Sequence, residues 1–296
     1  MEIKGKRIYR DTLFKFTFGN PDHKDLTLSL YNAMNGTDYR DPSLIEINTI
    51  EDVLYLGMRN DVSFLVGDTL SLYESQSTYN PNMPLRMLQY AAGIYEAYCR
   101  EKELDKYSGR VLALPAPRLV VFYNGGTKEP DEKELRFSDS FSKNSKHDIE
   151  VCVHMVNINR GHNLELMKRC RPLSDYSAFV GSVESNRRKV EFSEAIDMAI
   201  GELGDDSVLK RLLEIHKAEV KDMLLTEYNE QEQLRLTRKD AYRIGHEEGH
   251  EEGRVEGNEQ MLRLNAALLK EKRYQDLEKA TFDPEFRERL LRELGI

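Results

Sequence analysis

The residues best suited to chemistry lie on a predicted β-hairpin that carries two carboxylates and one amide. Two β-rich runs, Asp61–Val66 and Thr69–Gln76, are separated by a Gly-Asp pair at residues 67–68, which is typical of a two-residue hairpin turn. The register that this turn sets places Asp61 opposite Glu74. Directly opposed residues have Cβ atoms about 4.5–5.5 Å apart, so the two carboxylates are expected to meet on one face of the hairpin.

Two opposed carboxylates repel each other unless they share a proton or bind a cation. Mg²⁺ prefers oxygen ligands, typically one or two carboxylates completed by water and substrate phosphate. Gln76 follows Glu74 at i+2 and therefore points to the same side of the strand. The hairpin thus predicts a site for Mg²⁺, or another divalent cation, in which Asp61 and Glu74 hold the metal and Gln76 orients a water or a phosphate oxygen.

The alternative interpretation is that the two acids form a solvated face or a salt bridge without catalytic meaning. The neighbouring side chains argue against it, because both faces of the hairpin carry apolar residues, namely Val62, Phe64, Leu65, Leu70, Leu72 and Tyr73. Such a hairpin belongs in the protein interior, where a carboxylate is costly unless it is coordinated or paired.

The elements that must position this hairpin follow from the hydrophobic pattern and the turn residues. The pattern predicts helices over Asp11–Phe18, Leu26–Met34 and Leu85 to about Lys106, and strands over Ile45–Leu56, Leu119–Tyr123 and Ile149–Ile158. The pair Asn35-Gly36 is a stop signal for the second of these helices. From about Asn163 onward the pattern is helical. The order indicates an α/β core in residues 1–200, a helical connector in residues 201–240, and a helical C-terminal extension in residues 241–296.

The C-terminal extension contains a glycine at every fourth position, Gly245, Gly249, Gly253 and Gly257, within IGHEEGHEEGRVEGNEQ. On a helix this spacing forms a smooth stripe that lets another helix approach closely. Alternatively, the segment is a frayed, charged, solvated linker, because each glycine costs about 1 kcal/mol in a helix interior. The first interpretation predicts a homo-oligomer formed through this arm.

The overall charge limits the kinds of partner that the chain can bind. The formal net charge of −9 argues against a general nucleic-acid binder, since phosphate binding depends on Lys and Arg. Basic stretches at Arg7–Lys15 and Arg100–Arg118 still allow a local positive groove. No apolar run is long enough to span a membrane, and MEIKGKRIYRDTLF lacks the apolar core of a signal peptide. Three scattered cysteines favour plain thiols and a cytoplasmic protein.

The hairpin residues resemble the PD-(D/E)xK nuclease signature, with Asp61 and Glu74-Ser75-Gln76 in the motif positions and Gln in place of the usual Lys. The surrounding sequence resembles the Rpn family of recombination-promoting nucleases, also called PD-(D/E)xK nuclease family transposases. The stretches that carry this likeness are DTLFKFTFGNP, TIEDVLYLGMRNDVSFLV, LYESQSTYNPNMPLRMLQY, VVFYNG and the Gly-Glu repeat.

The resemblance implies a restriction-endonuclease-like core, a mixed sheet flanked by helices, and a bacterial, Mg²⁺-dependent DNA endonuclease linked to recombination. It also implies that Asp11 and Lys15 match an N-terminal D-x3-K helix of the family, which makes both residues candidates for binding the substrate. Arg86 and Tyr90, at i and i+4 of the following helix, are candidates for binding the DNA phosphate, although Arg86 is equally consistent with an ordinary surface charge.

The Gln at position 76 departs from the superfamily motif, because it offers dipoles where Lys offers a fixed charge; Lys15 or Arg86 is the candidate substitute. Two functions therefore stay open. One is a metal-dependent DNA endonuclease, which the opposed carboxylates favour. The other is a nuclease-fold binding or assembly protein that oligomerises through its tail and cleaves nothing, which the net charge favours.

Overall fold

The computed structural model of the protein describes residues 8–47, 62–143 and 145–296. Contacts within the chain divide it into two compact units, Met1–Glu232 and Gln233–Ile296. The boundary between the units falls inside the predicted connector, residues 201–240. The candidate hairpin belongs to the first unit.

A six-stranded mixed sheet forms the centre of the first unit. Its strands are β1 (Glu46–Ile47), β2 (Val62–Val66), β3 (Thr69–Gln76), β4 (Ala116–Tyr123), β5 (Glu132–Arg136) and β6 (Cys152–Asn157). Their spatial order is β1-β2-β3-β4-β6-β5. The strands β1, β2 and β3 are antiparallel, β3, β4 and β6 are parallel, and β5 runs antiparallel to β6. The predicted α/β class with a mixed sheet flanked by helices is confirmed at this level.

Seven helices precede the long C-terminal helix in the described part of the first unit. They are α1 (Ile8–Phe18), α2 (Lys24–Asn35), α3 (Met83–Glu101), α4 (Leu164–Arg169), α5 (Arg171–Asn186), α6 (Phe192–Glu202) and α7 (Val208–Ile215). The predicted stop of α2 is confirmed, because Gly36 takes a left-handed φ of 70° and its N–H bonds to the carbonyl of Asn32.

Helix α3 ends at Glu101, five residues before the predicted end at Lys106. Glu103 adopts a left-handed φ of 52°, and the N–H of Leu104 turns back to the carbonyl of Cys99. This arrangement satisfies orphan carbonyls at the end of the helix and turns the chain out of the helical path. Of the predicted strand Ile45–Leu56, the structure describes the beginning as β1, and residues 48–61 lie outside the described residues.

The predicted hairpin and its register are confirmed over every pair that the structure describes. Ser63 lies opposite Leu72, and Val62 lies opposite Tyr73. Gly67 opens the turn with a φ of 56°, which a residue with a Cβ adopts at a cost. The side-chain alternation along β3 is therefore the predicted one.

Gly67→Ala is expected to lower the free energy of unfolding by about 1–2 kcal/mol, because the left-handed conformation strains an L-residue. A Cβ at this position meets no atom within 4 Å, so crowding does not contribute. Chemical denaturation measures the change. Gly109→Ala is the matched control, since Gly109 also lies in open space but has no positive φ. Equal stabilities of the two variants would contradict this account of the turn.

The two faces of the sheet pack against different helices. On one face, Val62, Phe64 and Tyr73 join a core with residues of α1, α2, α5 and α6. On the other face, Leu70 and Leu72 pack with α3. Successive side chains of a strand point to opposite faces, so the even-numbered residues of β3, which include Glu74 and Gln76, face α3.

The prediction missed β5. Four of the five side chains of its sequence, EKELR, are charged, and only Leu135 is buried. The strand lies at the edge of the sheet, where solvent covers much of its surface. A strand in this position needs no apolar alternation, so the periodicity on which the prediction depended is absent.

The second unit is helical, as the sequence predicts for the C-terminal extension. Helix α8 runs without a break over Lys217–Lys270, which is 54 residues and includes all four glycines of the repeat. After it come α9 (Tyr274–Phe282) and α10 (Pro284–Leu294). A small apolar core joins these helices through Leu264, Leu268, Ala280 and Leu290. The repeat is therefore helical and not frayed, and the approach of a second helix along its glycine stripe stays a prediction.

Candidate functional site

Glu74 and Gln76 lie near the carboxyl end of β3, between β2 and β4 in the interior of the sheet. Glu74 pairs with Val121 of β4, and Gln76 pairs with Tyr123. Both side chains point to the face covered by α3, and the residues are 4% and 7% exposed. An ionised carboxylate at this depth requires a compensating charge.

Arg86 supplies a positive charge directly to Glu74. Its Nη2 lies 2.5 Å from Oε1 of Glu74, and the exposed fractions of the two side chains are 33% and 5%. The guanidinium reaches the carboxylate because α3 begins at Met83 and places Arg86 in its first turn. The pair joins a buried acid to a base that is still partly in contact with solvent.

Tyr90 fixes the direction of the guanidinium from one turn further along α3. Its hydroxyl accepts hydrogen bonds from Nε of Arg86 at 3.2 Å and from Nη2 at 2.7 Å. The centre of the guanidinium lies 5.6 Å from the centroid of the Tyr90 ring. The structure therefore brings two of the predicted substrate-binding residues, Arg86 and Tyr90, to the predicted catalytic residue Glu74.

Gln76 and Arg86 share a neighbour at the beginning of α3. Nε2 of Gln76 donates to Sδ of Met83, and Nη1 of Arg86 lies 3.4 Å from the same sulfur. This contact sets the direction of the Gln76 amide. Because sulfur is a weak acceptor, little free energy is needed to break the contact. The amide of Gln76 stays beside the carboxylate of Glu74.

Asp61 lies outside the described residues. The nearest described pair of the hairpin, Val62 with Tyr73, follows the predicted register. Its continuation by one residue is the pairing of Asp61 with Glu74, which stays a prediction.

Asp11 and Lys15 belong to α1, which packs on the opposite face of the sheet from α3. Phe14, between them in sequence, stacks on Phe122 with ring centroids 5.2 Å apart. The carboxylate of Asp11 accepts hydrogen bonds from the hydroxyls of Ser75 and Ser77. These serines alternate with Glu74 and Gln76 along the chain, so the sheet separates Asp11 from the Glu74 side chain.

Lys133 is a basic residue on the Glu74 face that the sequence did not indicate. Residue pairing runs across the sheet from Glu74 through Val121 and Met155 to Lys133. Nζ of Lys133 lies 2.9 Å from the hydroxyl of Tyr79, and this hydrogen bond raises the pKa of the lysine. Because β5 itself was missed, no signal in the sequence placed Lys133 on this face.

The side chains of Glu74 and Gln76 offer the type of donor atom that a hard divalent cation binds. A carboxylate and a neighbouring amide are oxygen donors of the type that Mg²⁺ and Mn²⁺ prefer, and the buried carboxylate already attracts a cationic group, Arg86. Among residues 8–47, 62–143 and 145–296, no group of three or more His, Cys, Asp or Glu side chains is arranged to hold a metal ion. Asp61 lies outside these ranges.

The three cysteines, Cys99, Cys152 and Cys170, are free thiols. Burial raises the pKa of the Cys170 thiol, which keeps it protonated and a poor nucleophile. The prediction that the three thiols are unpaired is confirmed.

The fold and the site define a mixed α/β protein with a buried acid–base pair at the carboxyl end of a central strand. No protein-family model, curated protein or solved structure matches the chain. Within the described part of the chain, no helix has the length and apolar character needed to cross a membrane.

Proposed function

We propose that the protein is a metal-dependent DNA endonuclease of the PD-(D/E)xK kind, related to the Rpn family and its role in DNA recombination. The observation that carries this proposal is the carboxylate of Glu74, buried at the carboxyl end of a central strand and paired with a guanidinium on the next helix. A mixed sheet flanked by helices agrees with the core that the resemblance implies.

In this proposal Asp61 and Glu74 hold Mg²⁺ or another divalent cation, and Gln76 orients the attacking water. A bound divalent cation lowers the pKa of a coordinated water and offsets negative charge on the phosphate. Gln76 suits its role because its amide lies on the same strand face as Glu74 and bonds only weakly to Met83.

Arg86 provides the positive charge that the superfamily motif usually places at the Gln76 position. Without a metal it compensates Glu74, with Nη2 2.5 Å from the carboxylate. If Glu74 held a cation, the guanidinium could turn to an oxygen of the scissile phosphate, for which its planar fork is suited. The hydrogen bond to the Tyr90 hydroxyl would keep the guanidinium near its present place.

The net charge of −9 does not oppose a DNA substrate if the cations are concentrated on one face. Arg86 and Lys133 both lie on the face of the sheet that carries Glu74. The acidic residues of the Gly-Glu repeat lie in α8, which belongs largely to the other compact unit.

A second candidate function is assembly of copies of the chain through the long helix α8, with or without cleavage of DNA. The observation that favours it is the continuous 54-residue helix α8. A Cβ built on Gly245, Gly249, Gly253 or Gly257 meets no atom within 4 Å, so this face has room for another helix. We propose that the protein is a homo-oligomer. Size-exclusion chromatography with light scattering measures its molar mass directly.

A plasmid-nicking assay tests the endonuclease proposal. Wild type is expected to nick supercoiled DNA with Mg²⁺ and to stop when EDTA is added, and Asp61→Ala is expected to lose the activity because one metal ligand is gone. Asp68→Ala is the matched control, since it removes an exposed acid from the turn of the same hairpin. An inactive wild-type protein would favour the assembly function, and equal nicking by Asp61→Ala would remove Asp61 from the site.

A further inference from the structure

Polar side chains from two helices and from the ends of two strands converge beneath the carboxyl ends of β3 and β4, on the face away from Glu74. They are Asp11 of α1, Ser75 and Ser77 at the end of β3, Asn124 after β4, and Tyr176 of α5. We call this set the Asp11 brace. Except for Asp11, which is half-buried, its members are nearly inaccessible to solvent.

The hydrogen bonds of the brace run outward from the amide of Asn124 in two directions. The Tyr176 hydroxyl donates to the backbone carbonyl of Arg10 at 2.7 Å, so it accepts from Nδ2 of Asn124 at 2.8 Å. The same Nδ2 also donates to Oγ of Ser75 at 3.3 Å. Ser75 in turn donates to Oδ1 of Asp11 at 3.1 Å. The chain of hydrogen bonds ends on a carboxylate, which accepts but cannot donate when ionised.

A second hydroxyl reaches the same carboxylate. Oγ of Ser77 lies 3.4 Å from Oδ2 of Asp11, so each oxygen of Asp11 receives one serine hydroxyl. Ser75 and Ser77 are 3% and 4% exposed. A serine hydroxyl buried this deeply is costly to leave without an acceptor. Asp11 therefore fixes the end of β3 at two points.

The brace acts on the backbone that carries the candidate site. Ser75 lies between Glu74 and Gln76 in sequence, and alternate side chains of a strand leave the backbone in opposite directions. Fixing Ser75 and Ser77 from the α1 side consequently fixes the directions in which Glu74 and Gln76 point on the α3 side. The contact of Glu74 with Arg86 restrains the tip of its side chain but not the strand beneath it.

We propose that Asp11 is a positioning residue, which sets the geometry of the Glu74 and Gln76 side chains through Ser75 and Ser77 without touching the metal or the DNA. This inference rests on the proposed metal-dependent function and assigns to Asp11 a role on the far side of the sheet. Removal of a group that hydrogen-bonds directly to a metal ligand typically weakens metal binding about 10–100-fold. Asp11 acts through the strand instead, so an effect at the lower end of this range is expected.

The experiment compares Ser75→Ala/Ser77→Ala with Ser71→Ala. Ser71 lies on the same strand and the same face and is fully buried, but it is four residues away from Ser75. Titration calorimetry with Mn²⁺ measures the dissociation constant, and amide hydrogen exchange measures protection of residues 74–77. The double variant is expected to raise the Kd about 10-fold and to lose protection at residues 74–77. Ser71→Ala is expected to change neither quantity.

Asp11→Asn is a milder test in case the double variant does not fold. It keeps the shape and one acceptor oxygen of Asp11, so a smaller rise in the Mn²⁺ Kd is expected. Hydrogen-exchange protection should again be lost at residues 74–77. A Kd and a protection pattern equal to those of wild type in these variants would overturn the positioning role.

The two readouts separate this inference from the proposed function. If wild type binds no Mn²⁺, the nuclease proposal fails, and hydrogen exchange alone then decides whether Asp11 orders the end of β3. If wild type binds Mn²⁺ and the Ser75→Ala/Ser77→Ala variant binds it equally well, the nuclease proposal stands and the positioning role is wrong.

Discussion

Glu74→Gln is expected to reduce Mg²⁺-dependent cleavage by about 1000-fold, since loss of a charged metal ligand removes several kcal/mol of transition-state stabilisation. The substitution keeps the size of the side chain and removes only its charge. Its second consequence is that Arg86 loses its buried counterion, which lies 2.5 Å away in the wild-type structure. Steady-state nicking rates over a range of Mg²⁺ concentrations measure the effect.

Metal-dependent thermal stabilisation provides the same test without DNA. A ligand that binds only the folded state at 100 times its Kd stabilises it by about 2.7 kcal/mol, so Mg²⁺ or Mn²⁺ should raise the melting temperature of wild type and not that of Glu74→Gln. Glu132→Gln, an exposed carboxylate on the edge strand, serves as the control and should behave as wild type. A Glu74→Gln protein that cleaves at the wild-type rate would exclude Glu74 as a metal ligand.

Arg86→Met is expected to affect metal binding and cleavage in opposite directions. In the proposed site the guanidinium, which is paired with Glu74, would compete with a cation for this carboxylate, so its removal should tighten the binding of Mn²⁺. Cleavage should nevertheless fall about 100–1000-fold, which is the usual loss when one preorganised donor to the transition state is removed. Few residues with a purely structural role would produce this combination.

The stability of Arg86→Met should also become dependent on the metal. Without a cation the variant leaves Glu74 buried at 4% exposure and without the charge of Arg86, and breaking a buried ion pair typically costs about 3–5 kcal/mol. A bound divalent cation restores the compensation, so the rise in melting temperature with Mn²⁺ should exceed that of wild type. Scanning fluorimetry with and without Mn²⁺ measures both quantities.

Two further variants define the controls for Arg86. Arg100→Met removes an exposed arginine from the same helix and is expected to change neither the Mn²⁺ Kd nor the cleavage rate. Arg86→Lys keeps the charge but loses the planar fork, so it should retain the stability of the metal-free protein better than Arg86→Met and recover cleavage only in part. Weaker Mn²⁺ binding by Arg86→Met would mean that Arg86 supports the cation site instead of competing with it.

The sequence alone determined the features that depend on neighbouring residues. The Gly67-Asp68 turn and the alternation around it predicted the hairpin register that the structure has from Val62 to Tyr73. Gly36 predicted the end of α2 in the same way. A turn selects its backbone conformation within a few residues, and one buried face then fixes the register, because a shift by one residue would expose the apolar side chains.

Only the tertiary structure decided which helix covers which face of the sheet. The sequence grouped Asp11 and Lys15 with Arg86 as candidates for binding substrate, yet α1 and α3 lie on opposite faces, and Arg86 is on the face of Glu74 and contacts it. The face of the sheet that a helix covers depends on how the apolar surfaces of the whole chain are buried together. A local sequence pattern therefore does not predict it. The contact of Asp11 with Ser75, 64 residues apart, follows from that packing alone.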